Sequence, residues 1–433
     1  MTDTKSLTDD LYQSLKSLPD NHLSRDIIVL ESQHPDHPES NQTYVAAFSD
    51  NCLVVKGDDI EWESAGKQVK TGSDPWDALE RFRASAGWVF GYIGYDAGKP
   101  QPPEEPGNRA YYKAPDMFFI EPVFLFRIDE TGIEQLKGEK IDSTRLRDPE
   151  ECHVYGLTSE ISKEEFIERV NSIKHLIAEG DFYELNFSYP ITASFEGHTY
   201  DLYRKMREIS PVPFASYLEL DKANLSVCCS SPERFLKKTG RRVMSEPIKG
   251  TSARGNNAAE DALFRNELKS KKNEAENLMI VDLVRHDLSA VCEPGSIDVS
   301  KLFEIQTFGT VHQLISRVEG TVSSEVSPAD IIKACFPMGS MTGAPKIRVM
   351  KRIGELETYR RGIYSGAIGY FTPDGDFDFN VVIRTAIIDG GRLVYPVGGA
   401  ITGDSDAIEE WNETLVKSKA LRLIQKKMIR TED

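Results

Sequence analysis

Short apolar or alternating runs, each closed by turn-forming residues, recur at 27–30, 44–48, 52–56 and 117–126 and predict strands. One helix among them is well marked: Asp74 precedes Pro75, and Trp76, Leu79 and Phe82 then share a face. Segment 87–96 reads G-W-x-x-G-Y-x-G-Y-D, a glycine density that implies close backbone packing under aromatic rings. From Ser162 the helical signal strengthens. Ser162 and Glu165 form a capping box ahead of a stripe of Phe166, Val170, Ile173 and Ile177 that stops at Gly180. A strand over 182–191, a hairpin from 217–220 and 224–229, and helices over 258–268 and 271–288 follow. Strands are predicted again at 366–371, 379–388 and 393–397, and a last helix from 407 to the end. Strand and helix do not alternate strictly, which predicts an α+β protein built on antiparallel sheets. Residues 99–107, K-P-Q-P-P-E-E-P-G, can only form an irregular loop. The polar stretch 142–158 reads as a linker between a strand-rich N-terminal region, 1–141, and a larger region, 159–433.

The chain has 433 residues, 39% hydrophobic and 28% charged, the composition of a folded soluble protein. Its formal net charge of −17 repels a phosphate backbone and argues against a nucleic-acid binder. A local cluster of cations could still admit a small anionic substrate. The six cysteines show no CxxC and no zinc-ligand rhythm, and adjacent Cys228 and Cys229 should face opposite sides of a strand. The start of the chain carries no apolar signal region, and its most apolar stretch, 117–126, is broken by Glu121 and Pro122. A reduced, cytoplasmic, membrane-free setting is expected.

Candidate chemistry concentrates in the second region. In Pro247-Ile248-Lys249-Gly250-Thr251, a lysine between an apolar residue and a glycine is poorly placed to reach solvent. Near other cations its neutral form would be favoured and it would serve as a nucleophile or base, although residue type alone favours a solvated lysine. Glu276 lies at helical pitch beside Met279, Ile280 and Leu283, and Glu410, Glu413 and Lys417 share one face of the last helix. Two glutamates from separate helices could hold Mg²⁺, or these could be solvated faces with a Glu413–Lys417 salt bridge. Gly398-Gly399-Ala400 could let backbone amides approach a carboxylate, and Gly339 to Ile347 is a glycine turn entering a helix. Arg384 sits in an apolar run and should need a carboxylate partner, from the protein or from a substrate. No nucleotide-binding glycine motif is present.

Taken together, P-I-K-G-T-x-x-R-G, A-E-N-L-M-I-V-D-L-x-R-x-D-L, G-S-M-T-G-A-P-K, Y-S-G-A-I-G-Y, I-R-T-A and the C-terminal E-x-x-E-x-x-x-K resemble the chorismate-utilising enzymes. That family includes anthranilate, isochorismate, salicylate and aminodeoxychorismate synthases, and the similarity is greatest to component I of the last branch, which serves para-aminobenzoate and folate biosynthesis. The resemblance implies two mostly antiparallel sheets packed as a sandwich with surrounding helices, as in anthranilate synthase component I. It also implies one Mg²⁺ held by Glu276 and Glu413 and bridging to the ring carboxylate of chorismate, with Lys417 and the amides of Gly398 and Gly399 supporting that carboxylate. Tyr364 and Arg384 fall where the family grips the enolpyruvyl carboxylate. Gly250 and Thr251 line the ring, and Ser340 is polar beside it. Glu233 matches the general acid for the departing C4 hydroxyl.

Lys249 separates the branches: anthranilate synthases usually read P-I-A-G-T, whereas aminodeoxychorismate synthases read P-I-K-G-T. The implied chemistry adds Lys249 at C2, after which ammonia replaces it by adding at C4. Several positions depart from the usual pattern: Glu184 stands where Gln is usual, Gln313 where many relatives have His, and Ala400 where a third glycine is common. No G-x-C-x-G elbow is present, so ammonia is expected from a separate glutamine amidotransferase subunit. The alternatives are an anthranilate synthase component I or a chorismate-binding regulatory subunit that has lost catalysis.

Overall fold

Strands buried on both faces should be apolar nearly throughout, and the central strands here are. In a computed structural model that describes residues 4–19, 24–33, 42–70, 72, 74–98, 108–141, 151–307 and 311–429, the chain forms two large antiparallel sheets, one of eleven strands and one of twelve. Ile28, Tyr44 and Ala46 of the first sheet pack with Val54, Phe90 and Phe118 of the second, so the sheets lie face to face. Their neighbours Ile27, Val29, Val45 and Ala47 point the other way, into a core shared with helices such as Lys163–Ala178 and Thr199–Ile209. The outer face of the second sheet is covered by Pro75–Ser85, Lys271–Ser289 and Pro328–Cys335. The result is an α+β sandwich with helices on both outer faces. Cys228 joins the outer core and Cys229 the inner one, as the alternation of a strand requires.

Strands from the two predicted regions interleave in both sheets. Ser24–Glu31 pairs with Phe214–Leu220, and Val89–Ile93 pairs with Ala367–Phe371. Of the stretch read as a linker, 142–150 lies outside the described residues, as does loop 99–107, and His153–Ser159 is a strand paired with Glu184–Glu196.

Three predicted elements divide. The run 117–126 breaks at Pro122, which has no N–H for a ladder, into Met117–Glu121 and Phe124–Asp129 in different sheets. The run 379–388 likewise becomes Phe377–Asn380 in the twelve-stranded sheet and Thr385–Asp389 in the eleven-stranded one. Arg384 therefore sits in a crossover, at φ 52°, rather than within a strand. The last helix divides at the buried Ser418 into Ala407–Lys417 and Lys419–Ile429. The capping predictions match the structure: Asp74 accepts from the amides of Trp76 and Asp77, and Ser162 and Glu165 complete a capping box.

Candidate active site

The chain passes from one sheet to the other at two adjacent points, and each places a charged residue there. Glu233 lies between Leu225–Ser231 and Arg234–Thr239, and Arg384 just before Thr385–Asp389. The crossovers are bonded to each other: Val381 N–H donates to the Glu233 carbonyl at 3.0 Å, and Ser230 N–H to the Arg384 carbonyl at 3.2 Å. Next to Glu233, the fully buried Arg234 is held by Glu246 and, at 2.9 Å, by Asp378, so the corner is rigid.

Glu233 is 7% exposed, and burial pushes its carboxyl up to about 7. A hydrogen bond from Ser340 and the charges of Lys249, Arg384 and Lys417 pull against that rise without cancelling it. Five predicted residues thus share one electrostatic neighbourhood. A cavity of about 20 Å³ touching Glu233, Gly339 and Ser340 has room for one water-sized molecule. A larger cleft, about 240 Å³, lies elsewhere, lined by Glu31, Tyr44, Phe214, Lys237 and Asp378, and shares no residue with this cluster.

Lys249 comes from the twelve-stranded sheet, on Ile248–Ala253, where the register with Val311–Thr321 shifts between Ile248 and Thr251. Its Nζ lies 3.1 Å from Glu184 Oε1, with the two side chains 13% and 1% exposed. The side chain is therefore not the solvated lysine that residue type favours, and the condition for a neutral amine, cationic neighbours, is not met: burial opposes its charge, but Glu184, Glu276 and Glu233 outweigh burial and hold its pKa above the ordinary lysine value. Gly250, at φ 85°, faces Asn273 and Leu268 of the neighbouring helical segments. Thr251 is exposed and pairs with Gln313, and no side-chain contact among the described residues ties it to the cluster. His312 is turned away, bonded to Asp261 at 3.0 Å and Thr307 at 2.9 Å.

On the opposite wall, Lys417 donates to the Gly398 carbonyl at 2.8 Å and lies 2.7 Å from Glu413. Gly398 pairs with Ser188, where a Cβ would lie 2.3 Å from the Phe187 carbonyl oxygen, so only glycine lets the strands approach. A Cβ on Gly399 would meet Lys417 Nζ at 3.4 Å and Glu410 Oε2 at 3.5 Å, which brings the buried Glu410 into the site as well. Arg384 makes no ion pair among the described residues, so of the two partners the sequence left open, a protein carboxylate and a substrate, no protein carboxylate is paired with it. Burial lowers its pKa, and the nearby Tyr395, Glu233 and Glu413 oppose that fall. Tyr364 is buried and electrostatically coupled to Tyr395, the neighbour of Arg384.

Glu276, half-buried on Lys271–Ser289, acts on Lys249, and Glu413 acts on Arg384 and Lys417. No group of three or more His, Cys, Asp and Glu side chains arranged to hold a metal occurs among the described residues. Two carboxylates suffice for Mg²⁺, which commonly keeps water and substrate oxygens as its other ligands, so this donor set fits that ion. One residue escaped sequence reasoning. Arg361, 1% exposed, pairs with Glu357 and donates to the Met341 and Asn186 carbonyls, both at 2.7 Å, clamping the glycine turn to Glu184–Glu196. Nothing in T-Y-R-R-G marks it.

All six cysteines are free and buried, and no helix among the described residues is long and apolar enough to cross a membrane. The chain is 44% identical over 262 residues to an aminodeoxychorismate synthase of Arabidopsis thaliana, covering 60% of this chain and 28% of that protein. It spans only 28–40% of the four plant and Streptomyces aminodeoxychorismate synthases it matches. An anthranilate synthase component I-like protein of Synechocystis is 34% identical over 350 residues, 77% of this chain and 72% of that protein. The crystal structure of anthranilate synthase component I from Streptococcus pneumoniae superposes with a TM-score of 0.75 at 27% identity, covering 94% of this chain and 95% of that one. A family model for chorismate binding enzymes matches residues 27–422, and the chain is a member of that enzyme family.

Proposed function

We propose that this chain aminates chorismate at C4 with ammonia, giving 4-amino-4-deoxychorismate for para-aminobenzoate and folate synthesis. The observation that carries this reading is the buried cluster in which the Lys249 amine, paired with Glu184, shares its surroundings with a Glu233 carboxyl raised to about 7. A nucleophile and an acid able to hold its proton near neutral pH are what a lysine-mediated displacement needs.

Arg384 and Lys417 bind the substrate's two carboxylates, Arg384 with Tyr364 at the enolpyruvyl end and Lys417 with Gly398 and Gly399 at the ring end. Lys249, which its carboxylate neighbours hold protonated in the resting protein, first gives up that proton to water and then adds at C2 as the free amine. The ring double bond shifts, the C4–O bond breaks, and the hydroxyl leaves as water with the Glu233 proton. Ammonia then adds at C4, the double bond returns, the C2–N bond breaks to release Lys249 as the amine, and one proton of the new ammonium group restores the Glu233 carboxyl. Mg²⁺, when bound by Glu276 and Glu413, supplies positive charge that anchors and orients the ring carboxylate. Ammonia comes from a separate glutamine amidotransferase subunit. The names of similar proteins support a divided enzyme: a Bacillus subtilis relative, 35% identical over 291 residues, is an aminodeoxychorismate synthase component 1.

The test is product identification by mass spectrometry after incubating the protein with chorismate, Mg²⁺ and ammonium. Aminodeoxychorismate is expected, converted to para-aminobenzoate only when a lyase is added; anthranilate in its place would assign the chain to the sibling branch. Lys249→Ala should slow amination by at least about 100-fold, and unchanged turnover would exclude the covalent step.

A further inference from the structure

Glu184 is buried in a way that only one neighbour explains. Its side chain is 1% exposed, Oε1 accepts from Lys249 at 3.1 Å, and Oε2 has no hydrogen-bond partner among the described residues. An interior carboxylate is costly unless paired, and the cation paired with it is Lys249.

The two partners are mounted very differently. Glu184 belongs to the eleven-stranded sheet, and its backbone is tied down on both sides. Tyr183 N–H donates to the Ala344 carbonyl at 2.8 Å, Asn186 N–H to Thr342 at 2.8 Å, and Arg361 grips the Asn186 carbonyl at 2.7 Å. Gly343 pairs with Leu185 at φ 137°, and a Cβ there would lie 2.0 Å from the Glu184 carbonyl oxygen, so the turn presses directly on this residue. Lys249 belongs to the twelve-stranded sheet and occupies the register shift between Ile248 and Thr251, beside Gly250 at φ 85°. A four-carbon side chain on an irregular strand has many positions open to it, and a nucleophile misplaced by about 1 Å can lose about 100-fold in rate.

We propose that Glu184 is the positioning residue that aims the Lys249 amine, a fixed acceptor in one sheet holding the end of a long side chain that rises from an irregular strand in the other. Its unbonded Oε2 offers the amine a second acceptor to move onto as it closes on the ring. This inference rests on the reading of Lys249 as the nucleophile.

Kinetics with chorismate, Mg²⁺ and ammonium test it on wild type, Glu184→Ala, Glu184→Met, Glu184→Gln, Lys249→Ala and the Glu184→Ala/Lys249→Ala double variant. Glu184→Ala and Glu184→Met should lose about 100-fold in kcat with the KM for chorismate held within about 2-fold. Glu184→Gln, which keeps an acceptor of the same length, should recover most of the rate. The double variant should be no slower than Lys249→Ala, because Glu184 acts only through that amine. Glu184→Met fills the same space without an acceptor and carries the test if the alanine variant does not fold. Wild-type kcat in Glu184→Met, or a double variant clearly slower than Lys249→Ala, overturns the assignment. A wild-type protein that makes no aminodeoxychorismate instead overturns the functional reading beneath it.

Discussion

Lys417 is held between the Gly398 carbonyl at 2.8 Å and the Glu413 carboxylate at 2.7 Å, so one cation ties the last active-site helix to the strand beneath it. Both partners of the ion pair are partly open to water, at 32% and 55% side-chain exposure, so the pair itself adds little to stability. Lys417→Met should leave the thermal midpoint nearly unchanged while raising the KM for chorismate by about tenfold or more, as loss of one charge-assisted contact would. Calorimetry and steady-state kinetics on the same preparation check both halves.

Glu233 should impose a basic limb on the pH profile. Its carboxyl is raised to about 7, so the proton needed by the leaving hydroxyl is present below that pH and lost above it. Activity should fall as pH rises through about 7, and Glu233→Gln should remove this limb and cost about 10²- to 10⁴-fold in kcat. The linkage to stability has the same sign. Between the ordinary carboxyl value of 4.5 and about 7 the folded state binds more protons than the unfolded one, so this group's contribution to stability declines as pH rises across that window. Denaturation of wild type and Glu233→Gln at pH 5 and pH 8 measures that difference.

Gly398 and Gly399 should respond differently to the same methyl group. Alanine at Gly398 drives a Cβ to 2.3 Å from the Phe187 carbonyl oxygen and to 2.6 and 2.8 Å from Cβ and Cα of Ser188, atoms fixed to the paired strand rather than the far end of a flexible side chain. Gly398→Ala should therefore lose much of its soluble, folded yield. Gly399→Ala meets only the ends of Lys417 and Glu410, at 3.4 and 3.5 Å, and should fold while weakening chorismate binding. Thermal melts and titration calorimetry distinguish the two outcomes.

Arg361→Leu should be among the most damaging substitutions away from the reacting groups. It strands Glu357, 3% exposed, and frees the Met341 and Asn186 carbonyls. Breaking a buried pair costs about 3–5 kcal/mol, which chemical denaturation would read directly.

Chelation should abolish turnover if the two-glutamate site holds Mg²⁺, with activity restored by the added ion. Glu413→Gln, at a half-exposed position, should raise the Mg²⁺ concentration needed for half-maximal rate without lowering stability.

Most elements were legible in the chain because periodicity and capping are local. The stripe from Phe166 to Ile177, the Asp74 cap and the facing of Cys228 and Cys229 depend on residues within a few positions of one another. The motifs also named Glu233, Lys249, Ser340, Arg384 and Lys417, which the fold brings into one neighbourhood. Pattern could not reveal that 117–126 and 379–388 each change sheets, since an apolar run looks alike whichever sheet receives it. Nor could it reveal the sign of the charge around Lys249. Glu184 is 65 residues away and in the other sheet, and electrostatic environment follows distance through space rather than along the chain.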